Sequence, residues 1–223
     1  MHQHVRALLK EPHWITRERY KGKGDCSAST MWDNDVWFIL PGNSNCSEPH
    51  IIHADYIRHL VPDTKIIVLL REPISRLYSD YMFFTSKPSK ASFHHLVVNH
   101  LKLLRDCFKQ YTLRHCVYNN TLQSLVRVQL GLYHVFLEDW LLRFPLSQIL
   151  VMRMEDMRDN VTREMLNVYS FLGLEKPNRK TMLQIQKTPR QNEGVKSRTW
   201  VPCGITRGSY WKISIDRLTN GWQ

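Results

Sequence analysis

The chain has 223 residues, 43% of them hydrophobic and 23% charged, which argues against disorder and leaves enough length to bury about 70% of the unfolded surface in a core. Lys and Arg number 31 against 20 Asp and Glu, a formal charge of +11, so the partners to weigh are polyanions: nucleic acid, an anionic membrane or a sulfated polysaccharide. The five cysteines form no Cys-x-x-Cys pair, which excludes a zinc-ribbon type of fold, and no apolar run is long enough to span a membrane.

The elements follow in chain order. Val5 to Leu9 reads as a short strand leading into Lys10-Glu-Pro-His-Trp14. Residues 21–50 hold most of the Gly, Asn, Asp and Ser and read as loops. Lys65 to Leu70 is a continuous apolar run, the pattern of a strand buried on both faces. Pro73 at a first helical position starts a helix through Phe84. Ser92 to Leu104 is a second helix with Ser92 as its cap. Leu122 to Phe144 reads as one long central helix, with Tyr133, Phe136 and Trp140 in the core. Gln148 to Met152 is a second buried strand, followed by Arg153, Glu155 and Asp156, which suit either a cleft or a strand-end salt bridge. Asn160 to Leu172 is an amphipathic helix stopped by Gly173. Strands alternating with helices predict an α/β fold with a central, mainly parallel sheet flanked by helices. Residues 1–187 form the expected domain; 188–223 have weak periodicity and form a divergent basic segment. Between residues 175 and 223, ten basic residues face three acidic ones, so most of the charge surplus lies there, and a solvated surface explains it as readily as a ligand does.

The strongest chemical signal is Ile66-Ile-Val-Leu-Leu-Arg-Glu-Pro-Ile-Ser-Arg-Leu-Tyr-Ser79. It places Arg71 at the carboxyl end of a strand and Ser79 in the next helix. Ligands of open α/β sheets bind at that edge, helix amino-termini favour anions, and an arginine fork with a serine hydroxyl suits a phosphate. A plain strand-to-helix turn with a surface arginine fits the spacing too. His94 and His95 read as helix-surface residues, and no metal is expected. Three Asn-x-Ser/Thr sequons, at Asn45, Asn119 and Asn160, are candidate glycosylation sites. Cys107 and Cys116 lie nine residues apart, close enough for a local bridge if the chain turns between them.

The run ending in Arg71 and Ser79 resembles the 3′-phosphate-binding motif of sulfotransferases that use 3′-phosphoadenosine 5′-phosphosulfate. Lys-Glu-Pro-His-Trp at 10–14, Ser-Ala-Ser-Thr-Met-Trp-Asp-Asn at 27–34, Arg-Leu-Tyr-Ser-Asp-Tyr at 76–81 and Cys-Val-Tyr-Asn-Asn-Thr-Leu at 116–122 are similar to the Golgi carbohydrate sulfotransferases, in the branch acting on N-acetylgalactosamine 4-sulfate. The resemblance covers roughly residues 4–187. It implies a P-loop-NTPase-like fold and transfer of sulfate from the phosphosulfate donor to a hydroxyl, C6 of N-acetylgalactosamine 4-sulfate, in chondroitin or dermatan sulfate. It implies Arg71 and Ser79 as donor-binding residues, Glu11 as the general base with His13 beside it, and Lys10 against developing negative charge. Lys187 and Arg190 are weaker candidates for the sulfated glycosaminoglycan. The resemblance around Cys116 supports a Cys107–Cys116 disulfide, and the family implies a Golgi lumenal domain of a type II membrane protein, anchored outside this chain. Nothing in Met1 to Leu9 matches the family's 5′-phosphosulfate loop, so the fold is expected with its amino-terminal part truncated. The rival within the same fold is a non-catalytic polysaccharide-binding remnant. Nucleic acid is not an expected partner, because no zinc finger or RNA-recognition motif is present.

Overall fold

A computed structural model describes residues 29–188 apart from 35, 123 and 125. In chain order the elements are α1 (His53–Leu60), β1 (Ile66–Leu70), α2 (Pro73–Phe84), α3 (Lys90–Phe108), α4 (Leu113–Tyr118), α5 (Tyr133–Leu141), β2 (Ile149–Arg153), α6 (Met154–Asp159), α7 (Val161–Leu172) and α8 (Arg179–Lys187). Strands β1 and β2 pair in a small parallel sheet, and the α/β class is as the alternation of strands and helices implied. Helices follow both strands, so the carboxyl edge of the sheet carries helix amino-termini. Among the described residues no helix is long and apolar enough to cross a membrane.

The chain divides into two compact units. In the first, described over residues 29–66 and 136–149, an irregular loop is organised by one side chain. Asn43 is 1% exposed. Its Nδ2 donates to the carbonyls of Trp37 and Ile51, both at 2.7 Å. Its Oδ1 accepts from the amides of His50 at 2.9 Å and Ile51 at 2.7 Å. A loop has no ladder to satisfy its backbone, so one amide that serves four backbone groups takes that role. Asp55 caps α1 by accepting from Ile52 N and pairs with Arg143 Nε at 2.9 Å. Arg143 donates to the His50 carbonyl as well. Asn43→Ala would strand several buried polar groups, at about 1–3 kcal/mol for each one left unpaired. The variant is expected to lower the thermal midpoint by roughly 10 °C; a calorimetric shift under about 2 °C would refute the organising role.

In the second unit, described over 67–135 and 150–188, Leu77, Tyr81, Phe93, Val97 and Val126 form a core cluster. The four from α2 and α3 recur at spacings of four, which puts each pair on one helical face. Tyr81 is fully buried, yet its hydroxyl is satisfied: it donates to the Ser89 carbonyl and accepts from the Ser89 amide. His100, on the buried face of α3, has its basicity lowered by burial. Cys107 and Cys116 are disulfide-bonded, with Cα atoms 5.9 Å apart, and tie the end of α3 to α4. Asn160 caps α7 by accepting from Arg163 N, and Gly173 closes it at φ 68°, a left-handed position open to glycine without a Cβ penalty.

Three expectations are corrected. The cap of α3 is Ser89, whose hydroxyl accepts from Ser92 N at 3.1 Å, and the helix runs to Phe108 rather than Leu104. The stretch from Leu122 to Phe144 is not one helix. It begins at the last residue of one 3-10 turn, Asn120–Leu122, and holds a second, Val128–Gly131, before α5. The Arg127 carbonyl accepts from Leu130 N at 3.3 Å, the bond of a 3-10 turn, and from Arg76 Nη2 at 2.7 Å. A Cβ on Gly131 would meet Pro73 at 3.3 Å, so glycine lets this turn approach α2 closely. Strand β1 is not buried on both faces: Ile67 and Leu69 are 42% and 53% exposed, in alternation with less exposed neighbours. The reading of Tyr133, Phe136 and Trp140 as core residues agrees with their burial.

Candidate functional site at the carboxyl edge of the sheet

Arg71 immediately follows β1, and Ser79 lies in the second turn of α2. Both are half-buried. Among the described residues, neither side chain makes a hydrogen bond or ion pair, so a guanidinium and a hydroxyl stand available beside the strand end. Between them Glu72 caps α2, accepting from Ile74 N at 3.1 Å and Ser75 N at 2.7 Å. Pro73 takes the first helical position, where its missing N–H costs nothing.

The turn is held from two sides. The Glu72 amide donates to Glu155 Oε1 at 3.0 Å, which joins the residues following the two strands at one edge. The other carboxylate oxygen of Glu155 is buried without a hydrogen-bond partner. The Tyr133 hydroxyl donates to the Arg71 carbonyl at 2.8 Å. Burial, opposed by Arg76 and the bond to Arg71, pushes the Tyr133 phenol up to about 12, so it remains a neutral donor at any physiological pH.

Beneath Ser79 lies a cluster of charges. Asp80, with a side chain 11% exposed, accepts from Arg127 through both carboxylate oxygens, Nε at 2.9 Å and Nη2 at short range, and meets Arg76 Nη1 at 3.4 Å. Burial lowers the Arg76 pKa, while Tyr133 and Asp80 oppose that shift. The Arg127 guanidinium also lies 4.8 Å from the Phe84 ring centroid. These contacts fix the rotation of α2 and therefore the direction of Ser79, the neighbour of Asp80.

The other candidate residues fall elsewhere. Lys10, Glu11, His13 and Arg190 lie outside the described residues, as do the expected strand from Val5 to Leu9 and the segment beyond Thr188. Lys187 is exposed at the end of α8, an element that packs on α7. Arg153 and Asp156 approach to 3.9 Å, the strand-end salt bridge of the two readings offered. His94 and His95 are exposed on α3, and no group of three or more His, Cys, Asp or Glu among the described residues could hold a metal ion. Asn45 is exposed at φ 63°. Asn119 accepts from the Thr121 amide and hydroxyl, and Asn160 is the α7 cap. Sequence reasoning missed Tyr133, Arg127, Arg76 and Asp80 as parts of the site. The last two stand at helical i, i+4 spacing, a signal open to reading; Arg127 joins them from 47 residues away, which no local pattern reveals.

Comparison with known proteins gives this geometry a context. Carbohydrate sulfotransferase 15 of Mus musculus is 44% identical over 194 residues, which is 86% of this chain and 34% of that protein. Carbohydrate sulfotransferase 15 of Nototodarus sloanii is 34% identical over 137 residues, 60% of this chain and 82% of that one. Heparan sulfate glucosamine 3-O-sulfotransferase 3B1 of Mus musculus is 32% identical over 182 residues, 79% of this chain and 41% of that one. The chain spans about a third of the length of the mouse carbohydrate sulfotransferase that it matches. Residues 45–200, which include Arg71, Ser79 and the contacts that hold them, match the sulfotransferase domain model, and the chain belongs to the sulfotransferase domain family.

Proposed function

We propose that this chain contributes to sulfate transfer from 3′-phosphoadenosine 5′-phosphosulfate to a hydroxyl of a sulfated galactosaminoglycan, the C6 hydroxyl of N-acetylgalactosamine 4-sulfate in chondroitin or dermatan sulfate, within the Golgi lumen. The observation that carries the reading is the Arg71 guanidinium, free of protein partners among the described residues, at the carboxyl edge of β1 with the free Ser79 hydroxyl on the following helix. A planar fork and a hydroxyl donor fit the three oxygens of a terminal phosphate. Arg71 and Ser79 would hold the 3′-phosphate of the donor and so orient it. Glu11 would take the proton of the attacking hydroxyl, with His13 assisting. Lys10 would offset charge near the sulfate, and Lys187 and Arg190 would meet the anionic glycan.

Relatives named for carbohydrate sulfotransferase 15 and for heparan sulfate glucosamine transfer support a carbohydrate acceptor and leave two acceptor classes to separate. Labelled donor should be offered with chondroitin 4-sulfate and, in parallel, with heparan sulfate, and the product disaccharides resolved. The expected result is label in 4,6-disulfated N-acetylgalactosamine units. Label in glucosamine would redirect the acceptor assignment to heparan sulfate. Retained glycan binding with no label in either polymer would favour the non-catalytic, polysaccharide-binding reading.

A further inference from the structure

We infer that the disulfide-clipped hairpin of α3 and α4 is a docking surface for a sulfated polysaccharide chain, outside the β1–α2 turn. The inference rests on the proposed acceptor class and adds a second contact region for it. Residues 90–118 carry five Lys and Arg, at Lys90, Lys102, Arg105, Lys109 and Arg114, against the single acid Asp106. This surplus of four equals the whole net charge of residues 1–174, because the segment 175–223 supplies the other seven. The part of the chain outside these two regions is therefore neutral on balance, and the hairpin is a local positive feature rather than a sample of a uniformly basic surface.

Geometry turns the surplus into a row. Lys102, Arg105 and Lys109 are exposed and recur at intervals of three and four over the end of α3 and its capping residue Lys109, which keeps helical backbone angles, so they lie along one face. They span about 10 Å at the helical rise, close to the length of one disaccharide. Asp106 senses all three: a hydrogen bond and attraction from Lys109, followed by Lys102 and Arg105, hold its carboxyl below the usual range. Only Lys109 is committed to it, at 2.7 Å; Lys102 and Arg105 have no ion pair among the described residues. The Cys107–Cys116 bridge sets α4 against this end of α3 and brings Arg114 to the same end of the hairpin.

The chemistry favours a linear polyanion over the other anionic partners. Tyr118 is buried beneath Arg114 at 5.1 Å and one face of Tyr111 is taken by His115 at 4.3 Å, so the hairpin offers nucleobases a single half-open ring and no stacking ladder. Val98, Leu101, Leu103, Phe108 and Leu113, interleaved with the cations, are 37–50% exposed, which offers a bilayer charge with only shallow apolar contact. Regularly spaced cations on a rigid helix match regularly spaced sulfates on a linear chain.

The test measures binding of the protein to immobilised chondroitin 4-sulfate, with free chondroitin 4-sulfate, phosphatidylserine vesicles and single-stranded DNA as competitors, and no donor present. Replacing Lys102, Arg105 and Lys109 together by Ala is expected to weaken binding about tenfold and to lower the salt needed for elution. A matched charge loss at the start of α8 and the segment before it, with Lys176, Arg179 and Lys180 changed to Ala, is expected to cost less than about threefold. Asp106→Ala should bind more tightly than the parent protein, by roughly twofold to fivefold, a change of sign that misfolding would not produce. Equal losses in the two triple variants, or no gain from Asp106→Ala, would overturn the docking surface in favour of non-specific charge. Stronger competition by vesicles or DNA than by free chondroitin sulfate would overturn it in favour of those partners. If the parent protein bound no sulfated glycan at all, the acceptor class in the proposed function would fail and this inference with it; if the parent bound and the α3 variant bound equally well, this inference alone would fail.

Discussion

Asp80→Ala is expected to destabilise the protein by about 3 kcal/mol. The side chain is 11% exposed and lies against two arginines, Arg127 through both carboxylate oxygens and Arg76 one turn earlier. Removing it leaves Arg76, 19% exposed, and Arg127, 26% exposed, without their shared counter-ion. Breaking one side of a buried pair costs more than the pair contributes, because an uncompensated charge remains out of water. Two contacts limit the loss: the Phe84 ring beneath Arg127 and the bond from Arg76 to the Arg127 carbonyl. Asp80→Asn, which keeps the shape and one acceptor oxygen, should lose less than the alanine variant. Denaturant unfolding of both variants decides the matter. A loss below about 1 kcal/mol for Asp80→Ala would mean that the arginines find water or other anions readily, and that the cluster is a surface feature.

This cluster also marks the limit of what the sequence alone conveys. Strand β1, the proline-led start of α2, the second strand and the glycine stop of α7 are written in neighbouring residues: apolar runs, a Pro at a first helical position and a Gly at a left-handed position. Arg71 at the strand end and Ser79 on the following helix are legible for the same reason. The break within Leu122 to Phe144 is not, because it depends on what Arg127 meets from another part of the chain. Its carbonyl serves Arg76 and its guanidinium serves Asp80, so a tertiary contact overrides a helical pattern. The shift of the α3 cap from Ser92 to Ser89 is a competition between two serines three residues apart, settled by Tyr81, whose hydroxyl fixes the backbone of Ser89 at both its N–H and its carbonyl. The exposed alternation of Ile67 and Leu69 has a different origin. An apolar run fits burial on both faces, but what covers each face is a property of the packing and not of the run.

Arg71→Ala is expected to weaken binding of adenosine 3′,5′-bisphosphate, the nucleotide left after sulfate transfer, by about a hundredfold. The estimate follows from a charge-assisted, bidentate contact: hydrogen bonds to charged groups contribute about 1.5–3 kcal/mol each when both partners are ordered. Arg71 is ordered before the ligand arrives, because Tyr133 holds its carbonyl and Glu155 holds the next amide. The backbone is therefore fixed and only the side chain remains to be ordered on binding, a cost that leaves a loss of about a hundredfold from the gross value of the contact. Arg71→Lys should fall between the two, since an ammonium keeps the charge and lacks the planar fork. Ser79→Ala should lose roughly tenfold, the value of one hydroxyl donor to a charged acceptor. Calorimetric titration with the bisphosphate, repeated with adenosine 5′-monophosphate, separates a phosphate contact from general damage. Arg71→Ala should lose the preference for the bisphosphate and leave the weaker monophosphate binding nearly unchanged. Equal losses for the two nucleotides, with an unchanged thermal midpoint, would show that Arg71 does not face the 3′-phosphate and would remove the main support for the donor site placed at the carboxyl edge of β1.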